Sequence, residues 1–103
     1  MKRRNKFNAI RTYSELCERT FDSKKEAKRG EELKRMEMAG EISNLRFQVW
    51  LRICPVPDTK MRVDFTYIKD NQLIHEDTKG FITRTSAQKL KMLKNLGVEV
   101  LIT

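Results

Sequence analysis

MRVDFTYIKDNQLIHEDTK, residues 61–79, consists of two alternating runs joined by the turn-forming set Lys69-Asp70-Asn71, and its register decides what the rest of the chain surrounds. Successive side chains of a strand point to opposite faces, so Met61, Val63, Phe65 and Tyr67 share one face and Arg62, Asp64, Thr66 and Ile68 the other. In the second run Leu73, His75, Asp77 and Lys79 fall together, with Glu76 opposite. A two-residue turn at Asp70-Asn71 pairs Lys69 with Gln72, and therefore Ile68 with Leu73, Thr66 with His75, Asp64 with Asp77 and Arg62 with Lys79. Two carboxylates are then directly opposed, with Cβ atoms roughly 4.5–5.5 Å apart, where like charges destabilise a sheet. A cation between them removes the conflict. Mg²⁺ takes oxygen ligands and keeps several waters, so two aspartates make a minimal site for it. Lys79, on the same face, is placed to neutralise a phosphate or steer a water. The same residues also read as a solvated Asp–Lys surface pair, and the pattern alone does not separate the two.

On the C-terminal side, SAQKLKMLKNLG predicts a helix with Ser86 as N-cap and Gly97 as its stop, and VEVLI predicts a closing strand. On the N-terminal side, FDSKKEAKRGEELKRMEMAG predicts a helix over residues 23–39, with Asp22 or Ser23 as N-cap, Glu26 in a capping box and Gly40 as terminator. NLRFQVWLRI then reads as a strand over Leu45–Ile53 that stops at PVPD, and residues 13–21 read as a short hairpin or irregular lead-in. The order is αβββαβ. That is an α/β arrangement, in which three strands form a meander and the last helix is a crossover.

The first helix adds a third carboxylate. At 100° per residue, Glu26 lies within about 20° of Leu33, on the stripe that packs against the sheet, whereas Glu31 and Glu32 face solvent. Glu26 is also a capping residue, and a carboxylate committed to the cap is less free to reach a metal.

Twenty-two Lys and Arg against fourteen Asp and Glu give a formal charge of +8 on 103 residues. One domain is expected, over residues 13–103, preceded by a basic arm at 1–12. The excess of positive charge favours polyanions, nucleic acid or an anionic membrane. The arm carries Lys2, Arg3, Arg4, Lys6 and Arg11 without an acid; it reads as a phosphate-neutralising tail or as a solubilising one. No apolar run is long enough to span a membrane and no secretory signal is evident, so a cytoplasmic protein is expected. Cys17 and Cys54 have neither zinc nor disulfide-framework spacing. Lys89 lies near the Leu93 line of the second helix and can reach over the site, while Lys91 and Lys94 look solvated. His75 reads as a packed residue or a proton relay. Trp50, Phe47, Met36, Met38 and Met92 read as packing residues.

An inward Glu on the first helix, an Asp-bearing strand and a strand ending Asp-x-Lys together resemble the PD-(D/E)XK nuclease superfamily. FDSKKEAKRGEEL, GEISNLRFQ, RVDFTY and HEDTKGF are similar to the successive blocks of a phage-associated family long catalogued as a domain of unknown function. The likeness covers residues 21–102. It implies a restriction-endonuclease-like core with a central mixed sheet flanked by helices. Asp64 stands for the first motif aspartate, with Val63 where the superfamily name has Pro. Asp77 is the second acid, Lys79 the lysine, Glu26 the helix acid, and Gln48 a strand glutamine frequent in related enzymes. The lead-in has Glu18-Arg19 where the narrower family has an Asp-Gly turn. The expected activity is an endodeoxyribonuclease dependent on Mg²⁺ or Mn²⁺ and selective for branched or junction DNA. Its expected setting is phage recombination, junction resolution or DNA processing, in the host cell cytoplasm. It is expected to act as a homodimer, with no membrane partner and no small-molecule cofactor. The rival is a non-catalytic nucleic-acid-binding module on the same fold; a membrane-surface protein is disfavoured because no helix is strongly amphipathic with an aromatic apolar face.

Overall fold

A computed structural model describes residues 10–79 and 82–103. Lys2, Arg3, Arg4 and Lys6 of the basic arm, and Gly80 of the HEDTKGF block, lie outside the described residues. A small antiparallel hairpin opens the fold, β1 Thr12–Ser14 with β2 Arg19–Phe21. Its turn places Glu18, not a glycine, at a positive φ of 55°. Helix α1 follows at Lys24–Met38, then β3 Ser43–Cys54, β4 Thr59–Lys69 and β5 Gln72–Asp77. Helix α2, Arg84–Asn95, leads to β6, Val100–Ile102. The result is an α/β fold with a mixed four-stranded sheet in the order β3-β4-β5-β6; β3, β4 and β5 form an antiparallel meander, and β6 joins β5 in parallel through the α2 crossover.

The central hairpin has the register its turn dictates. Asp70 and Asn71 both adopt positive φ, 52° and 63°, the conformation that suits a two-residue turn to the twist of the strands. Lys69 pairs with Gln72, Ile68 with Leu73, Thr66 with His75 and Phe65 with Glu76. The backbone ladder stops there. On the other edge of β5, Thr103 continues the β6 pairing, donating to the Asp77 carbonyl and accepting from the Lys79 N–H. The expected Arg62–Lys79 pairing does not form, because the Asp64 and Asp77 carboxylates take the backbone N–H groups where the β4–β5 ladder ends; Arg62 sits opposite Trp50 on β3.

Ser23 caps α1 by accepting from the Glu26 N–H, and Gly40 at φ +79° follows its C-terminus. The buried stripe of α1 is Glu26, Ala27, Gly30 and Leu33, one face at helical spacing. Beneath it Phe21, Phe65, Tyr67 and Ile42 form the main core, and the rings of Phe21, Phe47 and Phe65 have centroids 5.7 to 6.2 Å apart. Such edge and tilted contacts are the favoured aromatic geometry. A second cluster, Ile53, Met61 and Leu93 with Leu51, Leu90 and Val100, lies under α2.

Several expectations are corrected. Thr83, not Ser86, caps α2 by accepting from the Ser86 N–H, which starts the helix earlier than expected. Glu31 is half-buried and accepts the Ser14 hydroxyl at 2.6 Å, tying the lead-in hairpin to α1. Met38, Met92 and Trp50 are exposed, whereas Met36 and Phe47 do pack on the core. No helix among the described residues is long and apolar enough to cross a membrane.

Replacing Gly30 tests the α1 seam. Alanine gains about 1 kcal/mol over glycine in an ordinary helix interior, but a Cβ at Gly30 stands 2.7 Å from Phe21 Cζ and 3.3 Å from Phe65 Cε1. Overpacking is expected to win, so Gly30→Ala should lose about 1–2 kcal/mol in thermal or urea unfolding; a raised Tm would show that the aromatic core gives way freely.

Candidate functional site

The hairpin register brings Asp64 and Asp77 together where the β4–β5 ladder ends. Each carboxylate then takes the place of a missing ladder bond: the Asp64 N–H donates to Asp77 Oδ1 at 3.1 Å, and the Thr78 N–H donates to Asp64 Oδ2 at 2.9 Å. Lys79 Nζ stands 2.8 Å from Asp77 Oδ2. The ammonium is ion-paired with that buried oxygen and lowers the Asp77 pKa against the burial that raises it. Lys25 of α1 donates to the Lys79 carbonyl at 3.3 Å, holding the backbone after β5 against the helix.

Glu26 joins from the first turn of α1 and is 5% exposed. Its Oε2 accepts from the Asp22 N–H at 3.4 Å and from Gln48 Nε2 at 3.5 Å. Both contacts are long, so the capping role does not consume the carboxylate. Glu26 also lies against Asp64, close enough to raise its pKa. Gln48 holds a positive φ of 56° within β3, and its Oε1 is buried without a hydrogen-bond partner among the described residues.

The electrostatics follow from this crowding. Burial and the adjacent Glu26 push Asp64 up to about 7. Burial, with Asp64 beside it, pushes Asp77 up to about 6, partly offset by Lys79. Gln48 Oε1 is buried without a hydrogen-bond partner among the described residues; an oxygen-rich cluster whose carboxylates resist ionisation suits a cation. No group of three or more His, Cys, Asp or Glu among the described residues forms a metal cage. Mg²⁺, however, uses one or two protein carboxylates and otherwise keeps water or takes phosphate oxygens. The residues present fit that kind of ion, with Asp64 and Asp77 as ligands and Glu26 within reach through Asp64.

Glu76, next to Asp77 but on the opposite side of the strand, is 0% exposed. Arg29 grips it twice, Nε to Oε2 at 2.6 Å and Nη2 to Oε1 at 3.0 Å, and the Tyr67 hydroxyl donates to Oε1 at 2.7 Å. The carboxylate holds the Arg29 charge more tightly than usual, while burial and Glu76 raise Tyr67. Arg29 gave no sign of this role in the sequence beyond standing one turn after Glu26.

The structure thus assembles Glu26, Gln48, Asp64, Asp77 and Lys79. It leaves other candidates outside. Arg11 pairs with Asp22 at 3.9 Å. Lys89 is half-buried on α2, and among the described residues no hydrogen bond or ion pair links it to the carboxylates. Among the described residues the buried His75 Nδ1 has no hydrogen-bond partner and no hydrogen bond joins His75 to Asp77, and burial lowers its pKa. His75 also lines a concavity of about 660 Å³ between α2 and the β5–β6 edge, and none of the three carboxylates lines that space.

A family model described as "Protein of unknown function (DUF1064)" matches residues 4–102. No curated protein and no solved structure matches the chain.

A carboxyl whose pKa is higher folded than unfolded binds its proton more tightly when folded, so its contribution to stability is lost as pH rises from the unfolded value toward the folded one. For Asp64 that window runs from 3.8 to about 7. Asp64→Asn removes the loss while keeping an oxygen for the Thr78 N–H. After allowance for solvent screening, it is expected to exceed the parent by about 1–2 kcal/mol at pH 7, with the difference vanishing near pH 4. Mg²⁺ or Mn²⁺ should raise the parent's Tm at pH 7 and leave that of the variant unchanged. A parent Tm indifferent to both ions would remove the metal site. Glu76→Gln, which strands the Arg29 charge, should cost about 3 kcal/mol in urea unfolding.

Proposed function

We propose that this chain, which belongs to the DUF1064 family of proteins of unknown function, is a metal-dependent endodeoxyribonuclease that hydrolyses DNA phosphodiester bonds. The observation that carries the reading is the meeting of Asp64, Asp77 and Lys79 at the end of the β4–β5 ladder, with Glu26 against Asp64. The resemblance of the sequence blocks to the PD-(D/E)XK superfamily supports it. So does the order β3-β4-β5 followed by α2 and a parallel β6, which agrees with a restriction-endonuclease-like core.

Asp64 and Asp77 would hold Mg²⁺ or Mn²⁺, which supplies an acidified water and offsets charge on a phosphate. Lys79, fixed beside Asp77, donates to a non-bridging phosphate oxygen or orients the attacking water. Glu26 is the neighbouring base able to take a proton from water held near Asp64. Gln48, whose Nε2 reaches Glu26, would orient a water by accepting from it at Oε1. Binding comes from the excess of positive charge, which contacts phosphates with little base readout. A domain this small leaves little room for a sequence-reading module. We therefore place its selectivity in DNA structure, branched or junction DNA, and its working form as a twofold dimer able to cut two strands. Recombination or DNA processing in a phage-infected cell is the setting that the resemblance suggests.

The non-catalytic alternative draws on one observation, the absence of a three-ligand cage among the described residues. The two readings separate on linear, single-stranded, flapped and four-way-junction DNA, each incubated with Mg²⁺, with Mn²⁺ and with chelator. Cleavage of at least one substrate is expected with either ion and not with chelator. Asp77→Asn should abolish cleavage and retain DNA binding, and Lys79→Ala should slow cleavage on the order of 100-fold. Intact protein that binds these DNAs and cuts none of them would establish the binding module.

A further inference from the structure

Trp50 and Arg52 of β3 are exposed, while the intervening Val49, Leu51 and Ile53 are half or fully buried; Asn44 and Arg46, before the left-handed Gln48, line a separate concavity with Val49 and Leu51. Of the two exposed residues one is a large aromatic. Trp50 is 56% exposed, unusual for an indole without a polar environment to satisfy. Its surroundings are cationic. Trp50 pairs across the strands with Arg62, and Arg52 pairs with Lys60. Lys60 Nζ lies 4.7 Å from the indole centroid and Arg62 Cζ 5.8 Å from it. Two exposed acids touch the rim of this patch: Asp58, 3.6 Å from Arg52, and Asp22, 3.8 Å from Arg62. Both contacts are long and solvated, so neither cation is committed.

The patch is continuous with the carboxylate site. Trp50 stands two residues beyond Gln48 on β3 and Arg62 two residues before Asp64 on β4, a separation of roughly 7 Å along each strand. Asp22 touches Arg62 and also donates its N–H to Glu26.

We propose that Trp50, framed by Arg52, Lys60 and Arg62, is a stacking platform for an unpaired nucleobase, so that the preferred DNA carries a single-stranded stretch beside the scissile phosphate. A flat apolar ring with cations at its edge matches a ligand that offers both π-faces and phosphates. Duplex DNA hides its base faces and cannot use the ring. A flap, a gap or the open centre of a junction can. The position beside a scissile phosphate rests on the nuclease reading; the stacking itself does not.

Trp50 is the sole tryptophan, so its fluorescence reports on the patch directly. Intact protein in chelator, where nothing can be cut, is titrated with single-stranded oligodeoxythymidylate and with a blunt duplex of equal length. The single strand is expected to quench Trp50 and shield it from acrylamide, and the duplex to do neither. By anisotropy of labelled DNA, Trp50→Ala should bind the single strand about tenfold or more weakly and the duplex within about twofold of the parent, and Trp50→Phe should keep most of the affinity. Absence of quenching and shielding in the intact protein overturns the platform without need of any variant, as does single-strand affinity unchanged in Trp50→Ala. Cleavage without quenching removes the platform and leaves the nuclease standing. Quenching that persists in a protein that cuts nothing keeps the platform and removes the nuclease.

Discussion

The buried pair between Arg29 and Glu76 fixes how the helix layer meets the sheet. Glu76 is fully buried and takes two guanidinium bonds and a tyrosine hydroxyl, so the seam cannot slide without leaving a charge unpaired in the core. Such pairs add little net stability but penalise every other arrangement heavily. Their geometry propagates. Glu26 lies one helical turn before Arg29, about 4.5 Å along the axis, and Asp77 is one strand residue beyond Glu76, about 3.3 Å away on the other face. Fixing Arg29 on Glu76 therefore fixes Glu26 relative to Asp77, and the hairpin register fixes Asp64 relative to both.

That scaffold holds a cluster at odds with itself. Asp64 is lifted toward neutral pH by burial and Glu26, and Asp77 by burial and Asp64, while Gln48 Oε1 is buried without a hydrogen-bond partner among the described residues. A site selected only for stability would replace these groups or pair them. Local conflict of this kind, maintained by consistent structure around it, is where a fold departs from its own rules in favour of function.

Much of this arrangement was legible in the sequence, because short-range chemistry fixes it. Asp70-Asn71 sets the turn, the turn sets the register, and the register opposes Asp64 to Asp77. Ser23 and Gly40 bound α1 for equally local reasons. Glu26 pointed inward by helical periodicity. The Arg29–Glu76 clamp was not legible, since it joins residues 47 positions apart and an Arg or Glu in a charged chain carries no mark of its partner. The start of α2 was misplaced because Thr83 and Ser86 offer equivalent capping hydroxyls and only tertiary context chooses. Trp50 was a different case. Alternation with the buried Leu51 and Ile53 sets it with Arg52 on the exposed side, and the size and apolarity of the side chain outweighed a signal that was present.

On the proposed function, the binding field and the cutting site carry opposite signs, and this has a mechanistic consequence. The chain as a whole is strongly positive, which draws DNA to many parts of its surface with little preference. The carboxylates at the strand ends oppose a phosphate locally unless Lys79 and a bound cation outweigh them. A backbone can therefore settle in the site when two conditions coincide: the cation is in place, and something besides charge holds the DNA there. An aromatic ring that engages only unstacked bases supplies the second condition at a distance of a nucleotide or so. Attraction without discrimination, repulsion relieved by an ion and a contact reserved for open DNA would together let a small domain select a DNA shape without reading a base edge.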